Sequence, residues 1–253
     1  MSVLQVENLQ LGYEDKLVGK PFTFSLEKGK LYTLIGKNGM GKSTLIKTLS
    51  QVLPPISGNI SIQNKDLKEI SLSEFSKKIS FVFTNQPIHK ELTVLELIAL
   101  GRQPYTNWMH QITADDEKIV QNAIDFTQIK KYIHRKLYHL SDGQLQRVLI
   151  ARAIAQDTEI ILLDEPSNHL DLYYKVQLFR LLKRLCTEFG KTVLFSCHDL
   201  DLAIQQSNEM LVIKEDNNYF GTPDRLISEG IFDNFFQDQQ ILFDREQKRF
   251  VIL

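Results

Sequence analysis

Gly36-Lys37-Asn38-Gly39-Met40-Gly41-Lys42-Ser43 decides how this 253-residue chain folds. The octapeptide fits G-x-x-x-x-G-K-[ST], a loop whose backbone N–H groups cradle phosphate oxygens between a strand and a helix. Its neighbours fit that setting. Leu31-Tyr32-Thr33-Leu34-Ile35 is a compact apolar run, as a buried parallel strand reads. Beyond the loop, Leu45, Ile46, Leu49 and Val52 mark one face of a helix starting near Ser43, and Pro54-Pro55 stops it. Each residue type has its reason. Glycines let the backbone curl inward, and the helix N-terminus adds its dipole. Lys42 brings mobile positive charge to the β/γ-phosphates, and Ser43 offers a hydroxyl to Mg2+. The loop alone implies a nucleotide and no more.

A second apolar run, Ile160-Ile161-Leu162-Leu163, ends in Asp164-Glu165. In an open parallel sheet, that strand end is where ligands sit. Asp164 is expected to hold Mg2+ through water, and Glu165 to polarise an attacking water. Other strands are expected at Val3–Val6, Phe22–Leu26, Asn59–Gln63, Ser80–Phe83, Thr192–Ser196 and Met210–Ile213. The tail adds Gln240–Phe243 and Arg249–Ile252. From about Thr93 to Ala155 helical spacing takes over, with Val94, Leu97, Ile98, then Ile119, Ala123, Ile124, then Leu145, Val148, Leu149. An amphipathic helix follows the acidic strand, with Leu172, Val176, Phe179, Leu182 and Cys186 on one face.

Composition sets limits. Lys+Arg is 30 and Asp+Glu is 31, a net charge of -1, so a chain built as a whole to grip nucleic acid is not expected. Hydrophobic content of 43% and charged content of 24% exclude disordered and collagen-like classes. Cys186 and Cys197 are too few for a disulfide scaffold and read as reduced thiols. No basic run followed by an apolar stretch opens the chain, so no secretory signal is expected. No apolar run approaches the roughly 18 residues that span a bilayer, so any membrane role must come through a partner. His89, His110, His134, His139 and His169 show no metal-ligand spacing.

Leu140-Ser141-Asp142-Gly143-Gln144, before the helical Leu145–Ala155 segment, brings in a family. The pentapeptide resembles the L-S-G-G-Q signature of the ATP-binding-cassette ATPases. Glu165-Pro166-Ser167-Asn168-His169-Leu170-Asp171 resembles the segment after their catalytic glutamate. Ser196-Cys197-His198-Asp199 resembles their switch histidine, Gln86 their lid glutamine, and Tyr13 their adenine-stacking aromatic. The motifs stand in the family's order over essentially the whole chain. Ala99-Leu100-Gly101-Arg102-Gln103-Pro104-Tyr105 looks like a stretch of the iron-siderophore, haem and cobalamin importer ATPases.

The resemblance implies roles. Glu165 is the general base, His198 senses the γ-phosphate, and Gln86 touches Mg2+ or the attacking water. Mg2+ is held by Ser43, Gln86 and Asp164. ATP contacts come from Tyr13, Gly36, Asn38, Gly39, Gly41, Lys42, Ser43 and Thr44. Ser141, Gly143 and Gln144 face the ATP of a second subunit, with Asp171 at the seam, so ATP joins a head-to-tail homodimer. Asp142 departs from the usual glycine. A carboxylate there is favoured by the helix dipole and repelled by a γ-phosphate, so its side chain is expected to point away from the phosphate.

The expected fold is α/β: a phosphate-loop NTPase (RecA-like) core with an antiparallel β subdomain and an inserted α-helical subdomain. One cassette fills residues 1–253, with core 1–87 and 158–220, helical subdomain 88–157 and a C-terminal extension 221–253. The implied function is ATP hydrolysis driving a separate membrane permease, fed by a substrate-binding protein. The chain is then peripheral on the inner face of the cell membrane. The permease docks on the helical subdomain and the loop around Gln86. A soluble non-transport ATPase, such as one serving iron–sulfur assembly, is the alternative, and the Gly101–Tyr105 stretch argues against it.

Overall fold

The apolar runs flanking the phosphate loop and ending in Asp164 become neighbouring strands of one sheet. The computed structural model describes residues 1–14, 16–83, 88–106, 111–168, 170–233, 235–236 and 240–253. Gln86, Trp108, His110 and His169 lie outside the described residues.

β1 (Ser2–Tyr13) and β2 (Lys16–Glu27) open the chain, followed by β3 (Leu31–Gly36) and α1 (Lys42–Leu49). β4 (Ser57–Ile62), β5 (Lys65–Asp66), α2 (Leu72–Phe75) and β6 (Ile79–Val82) come next. Three helices then run in succession: α3 (Val94–Ala99), α4 (Ala114–Thr127) and α5 (Asp142–Ala155). β7 (Ile160–Leu163), α6 (Leu172–Phe189), β8 (Thr192–Ser196), α7 (Leu200–Gln206) and β9 (Glu209–Ile213) return to strand–helix alternation. β10 (Asn218–Gly221), α8 (Pro223–Ser228), β11 (Ile241–Asp244) and β12 (Arg249–Ile252) end the chain.

The main sheet has the order β10-β9-β3-β8-β7-β6. All its pairings are parallel except that of β10 with β9. Its central strands are apolar on both faces because both faces are covered. On β7, Ile161 and Leu163 join the core beneath α5 and α6, while Ile160 and Leu162 join the core with β1, β2 and α1. β8 alternates likewise, with Val193 and Phe195 on the first side and Leu194 on the second. Each such buried Leu, Ile or Phe contributes about 1.5–3 kcal/mol against exposure. The second sheet, β2-β1-β4-β5, is antiparallel throughout. β11 and β12 form a separate hairpin.

Three details differ from the sequence reading. α1 ends at Leu49 and Val52 is 56% exposed, because Gln51 turns left-handed (φ 58°) and the N–H groups of Val52 and Leu53 fold back onto the Lys47 carbonyl. Leu172, placed on the buried face of α6, is 70% exposed; the first turn of that helix projects beyond the core. β10 carried no apolar alternation to mark it, since its residues Asn218, Tyr219 and Phe220 are only half-buried at a sheet edge.

Candidate active site

The phosphate loop owes its curl to two left-handed glycines, Gly39 (φ 80°) and Gly41 (φ 98°). A Cβ on Gly41 would stand 2.7 Å from Val18 Cγ1, so β2 closes over the loop at a distance only glycine permits. Gly41 caps α1, whose first-turn N–H groups have no intrahelical partner. Lys42 is buried and donates to the carbonyls of Gly36 (2.8 Å) and Lys37 (3.2 Å). Burial pushes its ammonium below the usual lysine value, and the carboxylates of Glu165 and Asp164 pull the other way.

Parallel register delivers the acids. Leu163 of β7 pairs with Phe195 of β8, so the next residues, Asp164 and Ser196, emerge side by side. Ser196 Oγ donates to Asp164 Oδ1 at 2.8 Å, and Ser43 Oγ donates to the same oxygen at 3.0 Å. The Glu165 N–H donates to Ser196 Oγ at 2.7 Å. Glu165 is a non-glycine residue at φ 48°, a conformation that surrounding contacts must hold. Its Oε1 lies 2.8 Å from His198 Nε2, and its Oε2 accepts from the Asn168 amide.

Asn38, Gly39, Gly41, Lys42, Ser43, Thr44, Glu165 and His198 thus line one open cleft of about 510 Å³, joined by Asn168. Asp164 sits beneath it through Ser43. Gly36 ends β3 and gives its carbonyl to Lys42. Tyr13 reaches the rim, with its hydroxyl 3.3 Å from Thr44 Oγ1 and its side chain 46% exposed. Ser43 and Asp164 offer the hard oxygen donors that suit Mg2+. Among the described residues no cluster of three or more His, Cys, Asp or Glu could hold a metal ion.

Ser141, Gly143, Gln144 and Asp171 do not line this cleft. Ser141 caps α5 in a reciprocal box: its hydroxyl accepts from the Gln144 N–H, and the Gln144 side chain accepts from the Ser141 N–H. Asp142 begins α5, exposed to solvent. Asp171 caps α6, accepting the Tyr174 N–H at 3.0 Å. Sequence reasoning missed Ser196 and Asn168 as site residues. The β7–β8 register was the signal that could have found Ser196.

The comparisons with known proteins agree with this geometry. The ABC transporter family model matches residues 20–168. The iron(3+)-hydroxamate import ATP-binding protein FhuC of Bacillus subtilis is 35% identical, covering 100% of this chain and 95% of its own. The achromobactin transport ATP-binding protein CbrD of Dickeya dadantii is 34% identical, over 93% of this chain and 88% of its own. Among solved structures, a metal-chelate type ABC transporter in an inward-facing conformation superposes with a TM-score of 0.80 at 30% identity, covering 91% of this chain and 88% of that one. With its phosphate loop, acidic strand end and helical insertion in one α/β frame, this chain belongs to the ABC transporter family.

Proposed function

We propose that this chain is the ATP-hydrolysing subunit of an importer for ferric chelates. The observation that carries the reading is the meeting of Glu165 and His198 over the cleft of Lys42 and Ser43. Lys42 and the α1 N-terminus bind and orient the phosphates. Glu165 accepts the proton of the attacking water, and His198 reads the γ-phosphate. Ser43 and Asp164 would hold Mg2+, which would supply charge neutralisation to the bound phosphates. Tyr13 stacks on the adenine.

The signature residues lie outside their own chain's cleft, which supports completion of each site by a second copy. In that dimer Ser141, Gly143 and Gln144 reach across to the partner's ATP, with Asp171 at the seam. We take the core as 1–87 and 158–220, the helical subdomain as 88–157 and the extension as 221–253. The helical subdomain and the Gln86 loop receive the permease. None of the described helices is long and apolar enough to cross a membrane, consistent with force delivered through a partner. Ferric chelates are the cargo class because the hydroxamate relative and the metal-chelate transporter are similar over nearly the whole chain.

The test is reconstitution. The chain is co-purified with its permease from membranes, placed in liposomes, and supplied with Mg-ATP and a ferric hydroxamate on its binding protein. Phosphate release that rises with the loaded binding protein supports the reading. Recovery of soluble partners alone, with no permease, sinks it.

A further inference from the structure

A second cavity, of about 150 Å³, opens between α5 and α6 away from the phosphate-loop cleft. That volume takes a benzene-sized body. Phe126, Ile150, Tyr174 and Leu181 supply apolar wall, and Arg147, Arg180 and Arg184 supply the charge. No lining residue is acidic.

The three guanidinium groups are not equivalent. Arg184 is engaged by Glu188 through two hydrogen bonds of 2.7 and 3.0 Å, and covers the Phe126 ring at 4.7 Å. Arg147 lies 5.9 Å from the Tyr174 ring centroid. Among the described residues neither Arg147 nor Arg180 has a carboxylate partner. Some other cations are answered, among them Lys65 by Glu74, Lys175 by Asp199, Lys191 by Asp157 and Lys248 by Asp224. Two unanswered guanidinium groups beside an apolar wall attract an anion with an apolar body. A guanidinium takes a carboxylate through two parallel hydrogen bonds, and an aromatic ring packs well on aromatic and aliphatic walls.

We propose that this cavity binds a single-ring aromatic carboxylate, with its carboxylate on Arg147 and Arg180 and its ring on the wall of Phe126, Ile150, Tyr174 and Leu181. Gly143, at the start of α5, also lines the cavity, so the occupant touches both α5 and α6. The cavity shares no lining residue with the phosphate-loop cleft.

Calorimetric titration of the whole chain with benzoate and with its neutral counterpart benzyl alcohol tests this. Benzoate should bind at least about tenfold more tightly, the scale of a charge-assisted pair. The titrations are run without nucleotide, so that the cavity is read on the free chain. Arg180→Gln, at an exposed position, should weaken benzoate about tenfold and leave benzyl alcohol unaffected. Leu181→Trp, which fills the cavity, should abolish both. Absence of benzoate binding, equal affinity for the two ligands, or an Arg180→Gln variant that binds like the wild type would each overturn the proposal. The wild-type comparison of the two ligands needs no variant and stands if Leu181→Trp does not fold.

Discussion

Glu165 Oε1 lies 2.8 Å from His198 Nε2 while Asn168 donates to Oε2, so both oxygens of the proposed base are held before any water is activated. Gln at position 165 would keep the side-chain shape and most of these contacts but could not take a proton. Glu165→Gln is therefore expected to bind ATP normally and to lose turnover by about 100-fold or more, the scale of general-base catalysis. Phosphate release and equilibrium binding of a fluorescent ATP analogue separate the two effects. Hydrolysis near the wild-type rate would remove Glu165 from the role of base.

Tyr13 tests the adenine contact. It stands half-exposed at the rim, tied to the loop helix by its hydroxyl and Thr44. A base stacked on an aromatic face is worth about 1–3 kcal/mol. Tyr13→Ala is expected to raise the KM for ATP about tenfold or more, and Tyr13→Trp to preserve it. Equal effects of the two substitutions would mean that the hydroxyl contact matters and the ring face does not.

Asp142 is the departure inside the signature. It starts α5 in solvent, where the helix N-terminus favours a carboxylate, and Ser141 and Gln144 complete their capping box around it. The expected outcome for Asp142→Gly is a change in ATPase rate of no more than about fivefold, since helix-terminal charge effects are about 0.3–1 kcal/mol. A rise by orders of magnitude would show that the carboxylate inhibits the site it faces.

Local chemistry explains what the sequence revealed. Gly36–Ser43 and Ile160–Glu165 were readable because glycine geometry, strand burial and phosphate charge all demand particular residue types in short order. Ser196 and Asn168 were not readable as partners of Asp164 and Glu165. A serine after a strand and an asparagine in a turn have many ordinary uses, and only the parallel register of β7 with β8 brings Ser196 to Asp164. β10 escaped because a half-buried edge strand lacks alternation. Val52 was misplaced because apolar spacing continues past the point where Gln51 turns the chain. Arg102 was read as a mark of the importer subgroup. Its structural work is visible only where α4 and α5 meet.

Arg102 carries the last prediction. Its Nε donates to Asp116 at 2.8 Å and a terminal nitrogen donates to the Ala155 carbonyl at 2.9 Å, with both side chains of the pair buried. The Tyr105 ring covers the guanidinium at 4.0 Å. Removing one partner of a buried pair strands the other charge, at a cost of about 3–5 kcal/mol. Arg102→Ala should therefore lower Tm by roughly 10 °C in a chain of this size. Arg102→Lys should recover little, because one ammonium cannot reproduce the planar fork that reaches both Asp116 and Ala155. The Thr113 N–H and hydroxyl, then Arg102, hold the Asp116 carboxyl below its usual range against the opposing effect of burial. A carboxyl with a depressed folded value stabilises fully above its unfolded value, about 3.9, and loses that contribution as pH falls through the folded value. Thermal melts of wild type and Asp116→Asn should accordingly differ at pH 7, with the gap starting to close only as pH falls below about 4. A gap that stays constant across that range would show that Asp116 stabilises the helices by shape and not by charge.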